Sequence, residues 1–187
     1  MLNLKPTFLK NKGFTILELL LAFGISSIIV LSLVNILYFS KHAYLLGNEI
    51  DELILNGRYA IEYIKDEVKS ADKILSSNKI EGLNEAYKEN VGFVVVNKEN
   101  EILNRYTTYY KKGDKLVRIS GLAKENSYPI YTQLEGHNEI CESIYSFGNT
   151  GLDVENKMIY LDFLFLLSDG QVLNFRTNFY IRCPIEN

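Results

Sequence analysis

The chain has no Cys-x-x-Cys or His-x-x-x-His spacing, no Gly-x-Ser-x-Gly turn and no phosphate-cradling glycine loop. Those absences remove the usual signatures of zinc sites, serine-hydrolase chemistry and P-loop nucleotide binding. Its two histidines, His42 and His137, stand far apart in sequence, so no catalytic constellation gathers around imidazole. Asp153, Glu155, Asp162 and Asp169 lack the spaced oxygen ligands of a calcium loop and read as solvated turn or strand residues. Basic charge is not in excess either: 20 Lys and Arg against 23 Asp and Glu leave a net charge of −3. Nothing therefore marks a nucleic-acid backbone as the main ligand. Cysteine is scarce, with only Cys141 and Cys183. They fit one bridge if their domain lies outside the cytoplasm, and two isolated thiols in a reducing compartment. The residues imply no enzyme, no cofactor, no metal and no small-molecule substrate.

Charge is also missing where its absence matters most. From Leu19 to Ser40 there is no charged residue, a run long enough to cross a bilayer as a helix. Lys5, Lys10 and Lys12 precede it, and Glu49, Asp51 and Glu52 follow soon after Lys41. The positive-inside rule then places the N-terminus in the cytoplasm and the bulk of the chain outside. A cleaved secretory signal is the competing reading, but it calls for a shorter apolar region and a small-x-small site, which does not occur between Phe39 and Ala43. Glu18 interrupts the apolar character at the start of the run. It is either an interfacial or helix-dipole carboxylate, or a functional one, since intramembrane carboxylates are functional candidates by default.

The segment Lys12-Gly13-Phe14-Thr15-Ile16-Leu17-Glu18-Leu19-Leu20 closely resembles the processing signal of type IV prepilins and type II secretion pseudopilins. The resemblance rests on a basic leader, Gly-Phe at a junction, a glutamate at the fifth position after it, and a long apolar helix. It implies that a prepilin peptidase cuts between Gly13 and Phe14, that the Phe14 amine is N-methylated, and that the apolar segment stays in the product. It further implies that Glu18 neutralises the amine of an adjacent subunit during filament assembly. The implied partners are the peptidase, other pilins or pseudopilins, and an assembly platform protein in the membrane. A single-pass anchored adhesin or receptor that never polymerises is the alternative.

Beyond the apolar run, Ile50, Leu53, Gly57, Ile61, Ile64, Val68, Ala71 and Leu75 recur at steps of three and four. This spacing predicts that the helix continues, amphipathic and kinked or loosened near Gly47-Asn48, to about Leu75. After Ser76-Ser77-Asn78 the composition turns to strands: Val91 to Val96, Tyr106 to Tyr110, Leu116 to Ser120, Met158 to Leu167 and Val172 to Ile181. Lys111-Lys112-Gly113-Asp114 and Ser168-Asp169-Gly170 mark two hairpin turns. Residues 121–157 read as loops with one strand near Ile144 to Phe147. The expected fold is α+β and pilin-like, with a long N-terminal helix packed on an antiparallel sheet.

The expected organisation is a leader over residues 1–13, a transmembrane and filament-core helix over 14–40, and a globular domain over 41–187. With that domain outside the membrane, a Cys141–Cys183 disulfide is expected, contributing about 4 kcal/mol in the chain-entropy model. The soluble half also resembles, more loosely, PilW-type minor pilins and J-type pseudopilins. That second resemblance implies a minor filament subunit rather than the main one.

Overall fold

The computed structural model describes residues 14–124 and 127–186. The leader, with Lys5, Lys10, Lys12 and Gly13, lies outside the described residues. The chain divides into two units, Met1–Leu46 and Gly47–Asn187, and helix α1 (Ile16–Lys69) contributes to both.

In the first unit, every described residue before Leu46 is exposed. The stretch is apolar all round rather than along one stripe, which marks a helix made for lipid or for neighbouring helices. It is long and apolar enough to cross a membrane. Two of its hydroxyls bond back to the helix: Ser27 Oγ donates to the Gly24 carbonyl at 2.8 Å and Ser32 Oγ to the Ile28 carbonyl at 2.8 Å. Such back-bonding lets a hydroxyl sit in an apolar medium without an orphaned donor.

Among its described residues the second unit contains the rest of α1 and ten strands in two sheets. Sheet A is built from β1 (Lys73–Ser76), β2 (Phe93–Lys98), β3 (Leu103–Lys112), β4 (Lys115–Lys124), β5 (Glu135–Cys141) and β10 (Ile185–Glu186). Its spatial order is β10-β1-β2-β3-β4-β5, antiparallel except for the parallel β1–β10 pair. Sheet B contains β6 (Ile144–Phe147), β7 (Gly151–Asp153), β8 (Met158–Leu166) and β9 (Val172–Tyr180), with β6 and β7 along one edge of β8 and β9 along the other. The expected α+β arrangement of a long helix on antiparallel sheet is present, with the strands divided between two sheets. The two hairpins fall where the turn residues place them. β3 and β4 are joined by Gly113-Asp114, with Gly113 at a φ of 65° that a two-residue hairpin turn requires. β8 and β9 pair without interruption from Met158↔Tyr180 to Leu166↔Val172.

The central strands of sheet A are buried on both faces, which explains their continuous apolar runs such as Phe93-Val94-Val95-Val96. One face carries Leu75, Val94, Val96, Tyr106, Val117 and Ile119, covered by Ile80, Leu134 and Leu83 of the short helix α2 (Leu83–Ala86). The other face carries Tyr109 and Arg118, a cross-strand pair that meets α1. On α1 the buried residues are Leu53, Gly57, Ala60, Ile64 and Val68. Ile50 and Ile61 are only half-buried, because a 3.6-residue repeat carries the buried stripe through Ala60 instead.

Two further expectations need correction. The helix ends at Lys69, not about Leu75, since Asp72 N already donates to the Val96 carbonyl at 3.0 Å and Leu75 lies in β1. The assignment of residues 121–157 to loops misses β5 and β7 and recovers β6. β5 is a polar edge strand (Glu-Gly-His-Asn-Glu-Ile-Cys), exposed over most of its length, so no buried face imposes an alternating pattern on it.

Candidate functional site

Glu18 lies in the first turn of α1, and the residue that fixes it is Thr15. The backbone N–H of Thr15 donates to Glu18 Oε2 at 2.9 Å and the Thr15 hydroxyl donates to the same oxygen at 3.0 Å. In return the Glu18 N–H donates to Thr15 Oγ1 at 3.2 Å. This is a capping box, in which side chains three residues apart satisfy backbone donors that the first helical turn leaves free. Its signature, Thr-x-x-Glu ahead of an apolar run, was present in the sequence. The helix-dipole reading of Glu18 therefore has a definite geometry: the carboxylate faces back toward Thr15 at the positive end of the helix.

Phe14 immediately precedes this box and is 83% exposed. A cut before Phe14 would create an amine one residue from the cap, and the Glu18 carboxylate already sits at that end of the helix. The chemistry available here is charge neutralisation and helix initiation. Gly13, the other half of the expected cleavage site, lies outside the described residues.

The remaining sequence-derived candidates, Cys141 and Cys183, are not brought together. Both thiols are free. Cys141 is the last residue of β5, at one edge of sheet A, and Cys183 precedes β10 at the opposite edge. Five strand steps of about 4.8 Å separate those edges, whereas a disulfide needs Cα atoms within about 7 Å. The expected bridge is therefore withdrawn. Burial pushes the Cys141 thiol up to about 12, away from the reactive thiolate.

Sequence reasoning missed the polar clamp between α1 and sheet A. Glu67 Oε1 accepts from Arg118 Nη2 at 2.7 Å and from Nε at 2.9 Å, while the Tyr109 hydroxyl donates to Glu67 Oε2. Tyr109 is fully buried, and burial, reinforced by the Glu67 charge, raises its phenol above the ordinary tyrosine range. The three residues are far apart in sequence and share no motif, so only the β3–β4 register, which sets Tyr109 opposite Arg118, assembles them. Asp153, Asp162 and Asp169 are likewise separate: they contact Asn156, Arg176 and the Gln171 N–H respectively. Among the described residues no group of His, Cys, Asp or Glu could hold a metal ion.

Residues 9–34 match the prokaryotic N-terminal methylation motif. The match spans Gly13, Phe14, the capping box and the first half of the apolar helix. Neither the curated proteins nor the solved structures compared with the chain gave a match. The methylation motif, together with a long N-terminal helix and an antiparallel β-sheet, supports the general pilin and pseudopilin family. One apolar helix at the N-terminus is consistent with a single-pass membrane anchor. The methylation motif is consistent with a structural protein of that kind.

Proposed function

We propose that the chain is a minor pilin or pseudopilin, a structural subunit of a type IV pilus, type II secretion or competence filament. Prepilin peptidase cuts it between Gly13 and Phe14 and the Phe14 amine is methylated. It first lies in the cytoplasmic membrane with the N-terminus inside, then joins an extracytoplasmic filament with its apolar helix in the filament core. The assembly platform and sister pilins are its partners there. The methylation motif is the observation that carries this reading. The uniformly exposed apolar surface from Phe14 to Leu45 supports it, because such a surface needs either lipid or the helices of neighbouring subunits. The loose likeness of the soluble half to PilW-type and J-type subunits favours a minor subunit.

In this reading Glu18 has two successive partners. It closes the cap in the free subunit, and on assembly it offers its charge to the Phe14 amine of a neighbour. A pair of this kind serves register between subunits, because desolvation offsets much of its attraction. The test separates maturation from incorporation. Glu18→Val is expected to be inserted and cut like the wild type but to be lost from the sheared filament fraction, with Glu18→Asp recovering incorporation in part. Wild-type incorporation of Glu18→Val would refute the pairing, and an uncut protein in filament-forming cells would favour a non-polymerising anchored adhesin.

A further inference from the structure

The outer face of the β8–β9 pair carries a trough of about 750 Å³ lined by Asn149, Tyr160, Asp162, Arg176, Thr177 and Asn178. The register sets Asp162 opposite Arg176 and Tyr160 opposite Asn178, so these four side chains share one face of two rigidly paired strands. The loop after β6 closes the third side: Gly148 N donates to the Asp162 carbonyl at 2.8 Å and Asn149 N to Asp162 Oδ2 at 3.2 Å. A Cβ at Gly148 would lie 2.6 Å from Asp162 Oδ2, so the approach of that loop depends on glycine.

Asp162 is unusual for a surface ion pair. Its partner Arg176 is 64% exposed on the side chain, as a surface guanidinium normally is, but the Asp162 side chain is only 4% exposed. All of its side-chain bonds converge on Oδ2, which accepts from Asn149 N, Arg176 Nε at 3.2 Å and Arg176 Nη2 at 2.8 Å. Oδ1 is buried with no hydrogen-bond partner among the described residues. Oδ1 lies out of reach of the trough, so Asp162 serves there as the fixed anchor of Arg176, whose exposed guanidinium is the group a ligand would meet.

The lining decides what kind of ligand fits. Asp162 and Arg176 cancel in charge, and a guanidinium 2.8 Å from the carboxylate specifically opposes a metal ion. What remains is two carboxamides that both donate and accept, beside the partly exposed ring and hydroxyl of Tyr160. We propose that this trough is a binding site for a neutral, polyhydroxylated ligand, a saccharide. The exposed guanidinium of Arg176 donates to one hydroxyl of the sugar, Asn149 and Asn178 bond its neighbours, and the Tyr160 ring meets its apolar face. The inference is independent of filament assembly and gives the exposed domain a ligand class.

The test uses the full chain in lipid nanodiscs free of glycolipid, with the methyl glycosides of glucose, galactose, mannose and N-acetylglucosamine offered at millimolar concentration. Saturation-transfer NMR is expected to show transfer to at least one glycoside. Asn178→Ala, which removes an exposed side chain without orphaning a charge, is expected to weaken binding at least tenfold with an unchanged melting temperature. Arg176→Ala should weaken binding likewise but with a lower melting temperature, because it leaves the buried Asp162 carboxylate without its counter-ion, and Asn138→Ala on β5 should leave binding unaltered. Absence of transfer to every glycoside, or transfer that survives both trough variants, overturns the proposal. Calcium chloride or inorganic phosphate shifting the trough resonances in place of any sugar overturns it in favour of an ion site.

Discussion

Glu18 has a local role in the structure and, in the proposed filament, an intermolecular one. Its capping box with Thr15 is readable from Thr-x-x-Glu, and its fixed distance from the Gly13-Phe14 junction is readable from the methylation motif. Neither reading excludes the other, because a cap holds the carboxylate at the helix mouth where a processed amine would also lie. The cysteines show the opposite case, since two thiols separated by sheet topology give no sign of that separation in sequence. In denatured, unreduced protein both thiols are expected to be alkylated by iodoacetamide, and in native protein the buried Cys141 should resist while the half-buried Cys183 reacts. A mass two daltons short, with no alkylation, would restore the bridge. Gly57 offers a third test. Replacing a helical glycine by alanine ordinarily gains about 1 kcal/mol. Here the new Cβ would come within 2.7 Å of the Phe175 ring of β9. Overpacking costs typically about 1–3 kcal/mol, so Gly57→Ala should be net destabilising and Gly57→Val more so, read as falling melting temperatures. A rise for Gly57→Ala would mean that Phe175 swings aside freely.

At the scale of elements, the long apolar helix and the two hairpins were legible because each is specified locally, by composition over one segment or by turn residues between two. What sequence could not show is where non-local bonds override periodicity. Leu75 fits the helical repeat, yet β2 captures the backbone from Asp72 onward and makes it a strand. The Glu67–Arg118–Tyr109 clamp is of the same kind. Arg118 and Glu67 are 12% and 20% exposed on their side chains, so breaking the pair leaves a largely buried guanidinium without its counter-ion. Glu67→Gln is expected to cost about 3 kcal/mol in chemical denaturation. A loss below about 0.5 kcal/mol would show that the clamp is screened like a surface pair. Strand β10 gives a pH test. Lys73, at 2.9 Å, and the Tyr128 hydroxyl, at 2.7 Å, hydrogen-bond to Glu186 and hold its carboxyl below the usual range. A depressed carboxyl pKa contributes stability above its unfolded value, and that contribution disappears as pH falls through the folded value. Hydrogen exchange at Ile74, whose N–H donates to the Pro184 carbonyl just before β10, should therefore accelerate below about pH 4.5 relative to the β3–β4 pair. Equal acceleration in both pairs would point to global unfolding instead.

For the whole molecule, the decisive contrast is between a stretch of helix with no buried residue and a domain that makes its own core. Among the described residues the first buried one is Leu53, and every core residue of both sheets follows it. A chain that starts after residue 43 therefore keeps every buried residue described in the second unit while losing the apolar run that would drive aggregation. A chain beginning at Tyr44 is expected to be soluble and to unfold in one cooperative transition. The starting point matters because of Glu49, whose carboxylate accepts from both the Ser168 N–H and the Ser168 hydroxyl at 2.6 Å and so ties α1 to the β8–β9 turn. A chain beginning at Glu52 loses that tie and the first half-buried turn at Ile50, and should melt lower than the one beginning at Tyr44. The measurement is thermal unfolding by circular dichroism on both truncated chains, with sedimentation to confirm that each is monomeric. Aggregation of the Tyr44 chain, or melting temperatures that do not differ, would mean that the stability of the domain is not founded on the helix segment from Glu49 onward.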